Sequence, residues 1–372
     1  MGTRSYIFPL MLTVSFLLYL ILLIDDRLKT YFFCIIPLFL IYFVLSGFSI
    51  VRPEQFRFPL KYILAAALIF RIVLIPAGPI LSTDAGHSIS PAAQLAFLDN
   101  ILPEVNPIIW KILLLIGEIV ITLLLIRLLD HFQIPRTRLI VFSLNPLLII
   151  ETYRSGHNEI LIILVMVAGV WYFFNSRQIR SVLFLTIAAL LAAAAAFRPG
   201  SPMPVSGLFP DANGAIFNGG LYQLITNFIR ILEVGFRDWF NTSQTMICTD
   251  PEICYGIFAT LVLMLVIIDQ LRKLYKTASF AGINYLQAGF MIMAAFVLLL
   301  PVLHPWYLIW LLPLLLFIPK WSWITFFLLI QFSYALVPGI NRQASQLFLL
   351  AQYLPFYGLM IWEYLDRRRI KV

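Results

Sequence analysis

Long apolar segments recur along almost the whole chain, and they constrain its fold more than any other feature. We identify about twelve, each close to the roughly 20 residues that a helix needs to cross a bilayer. They lie near residues 6–24, 31–50, 60–77, 107–129, 137–152, 158–175, 180–197, 253–271, 284–302, 305–319, 321–338 and 345–363. A spanning segment must satisfy its own backbone hydrogen bonds in lipid, so all of them are expected to be helices. The sequence therefore predicts an all-α, polytopic integral membrane protein that forms a single domain over residues 1–372.

The basic residues predict the orientation of these helices. The net charge of +8 could indicate a nucleic-acid partner, but charged residues make up only 12% of the chain. Of its 26 Lys and Arg, 17 fall in alternate loops, the pattern of loops on the cytoplasmic side. They are Arg4, Arg52, Arg57, Lys61, Arg127, Arg136, Arg138, Arg177, Arg180, Arg272, Lys273, Lys276, Lys320, Arg367, Arg368, Arg369 and Lys371. We therefore predict a multi-pass protein, in the plasma membrane if the host is prokaryotic, with both termini cytoplasmic and no nucleic-acid partner.

Two of the predicted outer loops are long enough to hold structure of their own, 78–106 and 198–252. Within the second, residues 221–236 repeat Leu, Ile and Phe at steps of three and four. That pattern favours a helix lying on the membrane surface, with a thirteenth partial span as the alternative.

Cys248 and Cys254 also share this loop, and an oxidising outer compartment would allow a disulfide between them or leave two free thiols.

Two acids and an arginine stand out near the first of these loops. Asp84 lies just beyond the third span, where it could act as a general base, or be a solvated acid or a helix cap. Arg71 lies inside the third span, where a charge is costly and usually faces a partner or a wet cavity. It could pair with Glu118, in the middle of the fourth span, or hold an anionic lipid phosphate.

The densest polar cluster runs from Asn145 to Glu159, around a short predicted outer turn. Glu151, Arg154, His157 and Asn158 must share a small volume there. The sixth span begins at this turn, and a helix N-terminus offers free N–H groups and a positive dipole end that suit a phosphate. The alternative is purely structural, with Asn158 or Ser155 capping the helix and Glu159 complementing its dipole.

A second motif, Leu303 to Pro313, places His304, Trp306, Tyr307 and Trp310 at the same predicted face. These aromatic residues could hold a sugar or lipid, or form an interfacial aromatic belt. Arg342 falls in another loop of this face. The four histidines lack metal-ligand spacing and no Gly-rich nucleotide loop is present, so we predict neither a metal nor a cofactor.

At these motifs the chain resembles the GT-C glycosyltransferases, multi-span enzymes that use polyprenyl-phosphate sugars, and most of all their bacterial and archaeal mannosyltransferase-like group. The matching pieces are the stretch from Arg71 to Asp84, Asn145-Pro-Leu, Glu151 with Gly156-His-Asn-Glu159, Phe217-Asn-Gly-Gly-Leu-Tyr222, and His304-Pro-Trp-Tyr-Leu-Ile-Trp-Leu-Leu-Pro313. The chain departs from the family's pattern where Thr83 precedes Asp84 in place of a second acid. It departs again in the shortened stretch that follows Asp84.

The resemblance implies transfer of a mannose-like sugar, with inversion, from a polyprenyl-phosphate donor to a lipid, glycan or protein acceptor at the outer face. Asp84 would be the catalytic base, and Arg71, Arg154, His157 and Asn158 would bind the donor phosphate. Glu118, Glu151, Glu159, His304, Trp306, Tyr307 and Arg342 are further site candidates. A flippase or transporter of lipid-linked sugars and a catalytically reduced paralogue are the alternatives, the second favoured by the shortened stretch after Asp84.

Overall fold

A computed structural model describes most of the predicted spans. The described residues are 6–25, 27–54, 59–78, 106–175, 178–196, 251–276, 282–300, 303–336 and 342–369, with a few positions between 220 and 235. Those few positions are helical, as both the surface helix and the partial span considered for 221–236 require. Asp84 and Cys248 lie outside the described residues.

The described part of the chain consists of helices joined by turns and loops and contains no strand. The α-helices are α1 (Ile7–Ile24), α2 (Leu28–Val51), α3 (Leu60–Leu74), α4 (Pro107–His131), α5 (Ile140–Ser143), α6 (Pro146–Tyr153), α7 (Glu159–Phe174), α8 (Gln178–Ala196), α9 (Pro251–Lys276), α10 (Gly282–Leu298), α11 (Leu312–Leu315), α12 (Trp321–Leu329) and α13 (Arg342–Arg369). Three 3₁₀ helices, Arg136–Leu139, Pro305–Leu311 and Ile330–Leu336, connect them.

Four of the described helices are long and apolar enough to cross a membrane: Ile7–Ile24, Lys29–Val51, Pro107–His131 and Cys254–Lys276. Shorter apolar helices accompany them at Glu159–Phe174, Ile179–Ala188, Gly282–Leu298 and Pro305–Leu315. The described helices thus support a membrane-embedded protein, while the predicted number of twelve spans is not confirmed.

Three predicted spans are broken, and proline chemistry explains the clearest case. The segment predicted over 137–152 divides at Asn145, whose side chain accepts a hydrogen bond from the backbone N of Leu148 at 3.1 Å and so caps α6. Pro146 follows at the first helical position, where its missing N–H costs nothing. The segments predicted over 305–319 and 321–338 are likewise divided between 3₁₀ and α-helical turns.

The broken segments lie in the centre of the bundle. Every residue from Leu139 to Arg154 is buried, as is every residue from Pro305 to Ile318. A helix that is apolar on all sides belongs in a protein interior, and irregular backbone at membrane depth needs protein around it. The long helices, by contrast, carry many exposed Leu, Ile and Val side chains on their outer surfaces.

The two ends of the bundle gather different loops. At one end the side chain of Arg154 donates to the carbonyl oxygen of Asp25, and Lys111 of α4 donates to the carbonyl oxygens of both Ala77 and Arg154. At the other end the side chain of Arg138 donates to the carbonyl oxygen of Leu316, and the Phe132 ring packs on Phe317. This arrangement agrees with the predicted alternation of the loops. We call the first end the site end.

A carboxylate from the last helix closes the opposite end. Glu363 in α13 accepts hydrogen bonds from the backbone N of Trp321 at 2.5 Å and of Ser322 at 3.2 Å, and from the Ser322 hydroxyl at 2.8 Å. Lys320, the N-cap residue of α12, makes no side-chain capping bond. Glu363 therefore caps α12 from 42 positions further along the chain.

Candidate active site

The turn between α6 and α7, residues 154–158, forms the Arg154 loop. Gly156 has a backbone φ of 82°, a left-handed conformation that glycine adopts without a steric penalty. The bend lets the backbone N of His157 reach the carbonyl oxygen of Glu151 at 3.0 Å. Gly156 is therefore the residue that the turn requires, and the turn brings the His157 side chain back beside the end of α6.

Glu151 is fully buried under this turn and links two distant segments. Its Oε1 accepts a hydrogen bond of 2.5 Å from the hydroxyl of Tyr334, and its Oε2 lies 3.5 Å from His157 Nε2. Tyr334 belongs to the 3₁₀ helix Ile330–Leu336 and packs edge-on against the ring of Tyr31, with ring centroids 5.6 Å apart. Tyr334 thus fixes the Glu151 carboxylate, whose second oxygen faces the ring of His157.

Tyr334 was not among the site residues predicted from the sequence. The available signal was its three-residue spacing from Gln331 in an apolar run, which places both on one helix face. Gln331 is also buried, and its Oε1 accepts a hydrogen bond from the Tyr31 hydroxyl.

Three aromatic rings form a continuous stack at the site end. The His157 and Trp306 rings lie 3.8 Å apart at 23°, and the His304 and Trp306 rings lie 4.2 Å apart at 7°. Trp306 is therefore covered on both faces by imidazoles. Trp306, Tyr307 and Trp310 are buried, so an interfacial aromatic belt is the wrong interpretation of this motif. Its rings hold the His304 segment against the Arg154 loop.

The Arg154 side chain is 2% exposed and crosses to the loop between α1 and α2, where its Nη2 donates to the carbonyl oxygen of Asp25 at 3.3 Å. The hydrogen bonds from Arg27 hold the pKa of the Asp25 carboxyl well below its usual range. Arg154 thus carries a buried positive charge at the start of the turn that leads into α7.

Helix α7 begins directly after the Arg154 loop. Asn158 is its N-cap residue by position, yet its half-buried side chain makes no capping hydrogen bond. The capping explanation for Asn158 is therefore not supported. Glu159, buried in the first turn of α7, is placed to complement the helix dipole.

Arg71 and Glu118 form the ion pair that was one of two expectations for them. Arg71 Nε donates to Glu118 Oε2 at 2.8 Å, and its Nη2 reaches Oε1. Its Nη1 donates to the carbonyl oxygens of Ala67 at 2.7 Å and Ser143 at 2.8 Å. Glu118 also accepts from the Tyr153 hydroxyl at 2.5 Å. The pair joins α3, α4, α5 and α6 inside the bundle.

Lys111 is a second residue that the sequence analysis missed. Its side chain is 4% exposed, and its Nζ donates to the carbonyl oxygens of Ile75 at 3.2 Å, Ala77 at 2.7 Å and Arg154 at 3.1 Å. A lysine near a helix end usually extends toward the membrane surface, so its position gave no sign of these contacts.

For the remaining site candidates the structure describes few contacts. Arg342 is the first residue of α13, with its side chain outside the described part of the chain, as is Asp84. Among the described residues, no group of three or more His, Cys, Asp or Glu could hold a metal ion. Cys34 is a buried free thiol and Cys254 is disulfide-bonded, while Cys248, its predicted partner, falls outside the described residues.

Comparison with known proteins supports one family. Residues 92–201, which include the described helices α4 to α8, match the model of the MptA_B family, described as alpha-(1->6)-mannopyranosyltransferase, N-terminal domain. Searches of curated proteins and of solved structures gave no match. The matched region contains both the Arg71 partner Glu118 and the whole Arg154 loop. The match agrees with the resemblance to the GT-C mannosyltransferases and indicates a membrane mannosyltransferase.

Proposed function

We propose that the protein transfers a mannose-like sugar from a polyprenyl-phosphate donor to a lipid, glycan or protein acceptor. The observation that carries this proposal is that Arg154, His157 and Asn158 lie in the buried turn directly before the N-terminus of the 16-residue helix α7. The match to a mannopyranosyltransferase family, which covers these residues, is the reason for proposing mannose as the sugar. In the proposed topology the chain crosses the membrane several times, both termini are cytoplasmic, and the site end is on the extracytoplasmic side.

The donor phosphate would lie at the N-terminus of α7. The unpaired N–H groups of a first helical turn and the helix dipole favour an anion there, and Arg154 adds a full positive charge. His157 is held in one orientation by Glu151 and Trp306, which limits the motion of a group that would stabilise the leaving phosphate. The polyprenyl chain would extend into the surrounding lipid, which would explain why the site lies at a membrane end of the bundle.

Asp84 is the proposed catalytic base. Its carboxylate would take the proton of the acceptor hydroxyl while the acceptor oxygen forms a bond to the anomeric carbon. The bond from that carbon to the phosphate oxygen breaks on the opposite face, so its electron pair leaves with the lipid phosphate and the anomer inverts. Glu151, a second carboxylate among the site candidates, is enclosed by Tyr334 and His157, which favours a structural role for it over that of the base.

The charge distribution favours this function over transport. A transporter of charged lipids needs ionisable groups within the membrane that can change partners. Arg71 and Glu118 are the ionisable pair at that depth, and their hydrogen bonds hold them to one another, to two carbonyl oxygens and to Tyr153. Such a pair suits a fixed structural role.

The test is transfer from radiolabelled polyprenyl-phosphate mannose to lipid extracts, with the full-length protein in membranes. Asp84→Asn should lower kcat by about 10²–10⁴ with near-normal donor binding, because it removes only the proton acceptor. Arg154→Gln and His157→Gln should weaken donor binding, whereas Arg136→Gln, at the opposite end, serves as the matched control. Turnover in Asp84→Asn above about a tenth of wild type would place the base elsewhere. An inactive wild-type protein would favour the reduced paralogue.

A further inference from the structure

Two helices end at the same point of the site end, and one lysine contacts both. The carbonyl oxygens of Ile75 and Ala77 follow the last residue of α3, Leu74. Arg154 is the C-cap residue of α6. The last carbonyl groups of a helix have no partner within it, and they carry the negative end of its dipole. A cation is the group best suited to stabilise them.

Lys111, in the first turns of α4, supplies that cation to both helix ends. Its ammonium group has three N–H donors and meets three carbonyl oxygens, at 2.7, 3.1 and 3.2 Å. The oxygens of Ala77 and Arg154 lie within about 6 Å of one another, because each is within 3.1 Å of the same nitrogen. The ammonium group is thus a shared C-terminal cap for two helices from separate parts of the chain.

Each capped end is close in sequence to a residue of the proposed site. Ala77 is followed seven residues later by Asp84, and Arg154 begins the loop that carries His157. We propose that Lys111 is a positioning residue for mannosyl transfer, which holds the end of α3 and the Arg154 loop together through its ammonium group. This inference rests on the proposed function for its catalytic consequence, but the mechanical link can be tested without activity.

Hydrogen–deuterium exchange of the purified full-length protein in nanodiscs tests the link. Lys111→Met keeps the length of the side chain but removes its charge and donors. We expect the amides of residues 72–78 and 151–158 to exchange about tenfold faster, as for the loss of one hydrogen bond in a local opening equilibrium. Two stretches separated by more than 70 positions should change together while the other helices do not. Ile112→Met is the matched control, since Ile112 is 43% exposed on the adjacent face.

Unchanged exchange in either stretch would overturn the proposal, and so would an equal increase along the whole chain. If Lys111→Met does not fold, Lys111→Gln replaces it. Gln is neutral but keeps two donors, and the proposal predicts a smaller rise in the same two stretches; wild-type exchange in this variant would refute it.

Kinetics then test the catalytic consequence. A displacement of about 1 Å between reacting groups can cost about 10²-fold, so kcat of Lys111→Met should fall about 10- to 100-fold. Lys111→Arg, which keeps the charge and the donors, should recover part of that loss. A wild-type kcat in Lys111→Met would overturn the positioning role. A protein without any transfer activity would instead refute the proposed function, and the exchange result would still decide whether Lys111 joins the two segments.

Discussion

Loss of Glu118 and loss of Arg71, the two partners of the buried ion pair, should lower the free energy of unfolding by different amounts. Arg71 and Glu118 are each 3% exposed and joined by two hydrogen bonds. The informative variants are Glu118→Leu, Arg71→Leu and the double variant. A carboxyl group left alone in an apolar site can become neutral by taking up a proton, whereas a guanidinium cannot lose one in a protein. The loss of Glu118 should therefore be the more damaging change.

The contacts give the magnitudes. Glu118→Leu leaves a buried charge beside two carbonyl oxygens, and removal of one partner from a buried pair costs about 3–5 kcal/mol. Arg71→Leu leaves a carboxyl that still bonds to Tyr153, so we expect about 2–3 kcal/mol. The double variant leaves no buried charge, only a tyrosine hydroxyl and two carbonyl oxygens that lose a hydrogen-bond partner, at about 1–3 kcal/mol. It should be more stable than Glu118→Leu alone.

Reversible unfolding in mixed detergent micelles measures these differences, with donor binding recorded on the same samples. A double variant less stable than Glu118→Leu would refute the argument from the unpaired charge. A double variant that folds normally but binds the polyprenyl-phosphate donor more than about tenfold more weakly would show that Arg71 holds the phosphate. Such a loss corresponds to about 1.4 kcal/mol of binding free energy.

Three further experiments, two of them with a control substitution, test other parts of the structure. Gly156→Ala should destabilise the protein by about 1–2 kcal/mol and weaken donor binding because of its positive φ, as measured by thermal unfolding and donor titration. The control Gly289→Ala, in a helix with open space around the added methyl group, should stabilise it by about 0.5–1 kcal/mol. Glu363→Ala should cost about 0.5–2 kcal/mol in the same unfolding assay, because α12 loses its cap, with transfer activity retained. A cysteine placed at Asp84 should react with an impermeant thiol reagent in intact cells, and one at Arg136 should not; the reverse pattern would invert the proposed topology.

The outer helices were predictable because their ends carry clear signals. Helix α4 was expected at 107–129 and is found at Pro107–His131, with the side chain of Asn106 capping it and proline at its first position. Helices α1 and α2 also lie within a few residues of their expected bounds. An apolar run bounded by polar residues is read correctly when lipid surrounds the helix.

The central segments were not predictable from hydropathy, which measures only how apolar a segment is. The run containing Asn145 and Pro146 has the apolarity of a span, yet this pair ends one helix and begins another. Asn-Pro is a known turn signal, but the apolar residues on both sides of it predict a continuous span, and hydropathy alone cannot decide between the two. Burial by protein permits the break, and burial is a property of the assembled bundle.

Within the site, rare residues were easier to place than common ones. A pair between Arg71 and Glu118 was one of two expectations, because isolated charges at membrane depth need partners. Tyr334 is one of 16 tyrosines, and nothing local shows that it bonds to a carboxylate 183 positions away. The contacts of Lys111 depend on where two other helices end, which the local sequence does not encode.

The buried, broken segments also set the order in which the protein can assemble. The short helices around Asn145 and the 3₁₀ turns after His304 have too few consecutive helical residues to be stable alone in lipid. Helices α1, α2 and α4 precede Asn145 in the chain, so they leave the ribosome first and can form a surface for it. Lys111 can then form its third hydrogen bond, to the carbonyl oxygen of Arg154, when α6 packs against the earlier helices. Membrane insertion of this protein should therefore proceed as a sequence of dockings onto helices already in place, rather than as independent insertion of every apolar segment.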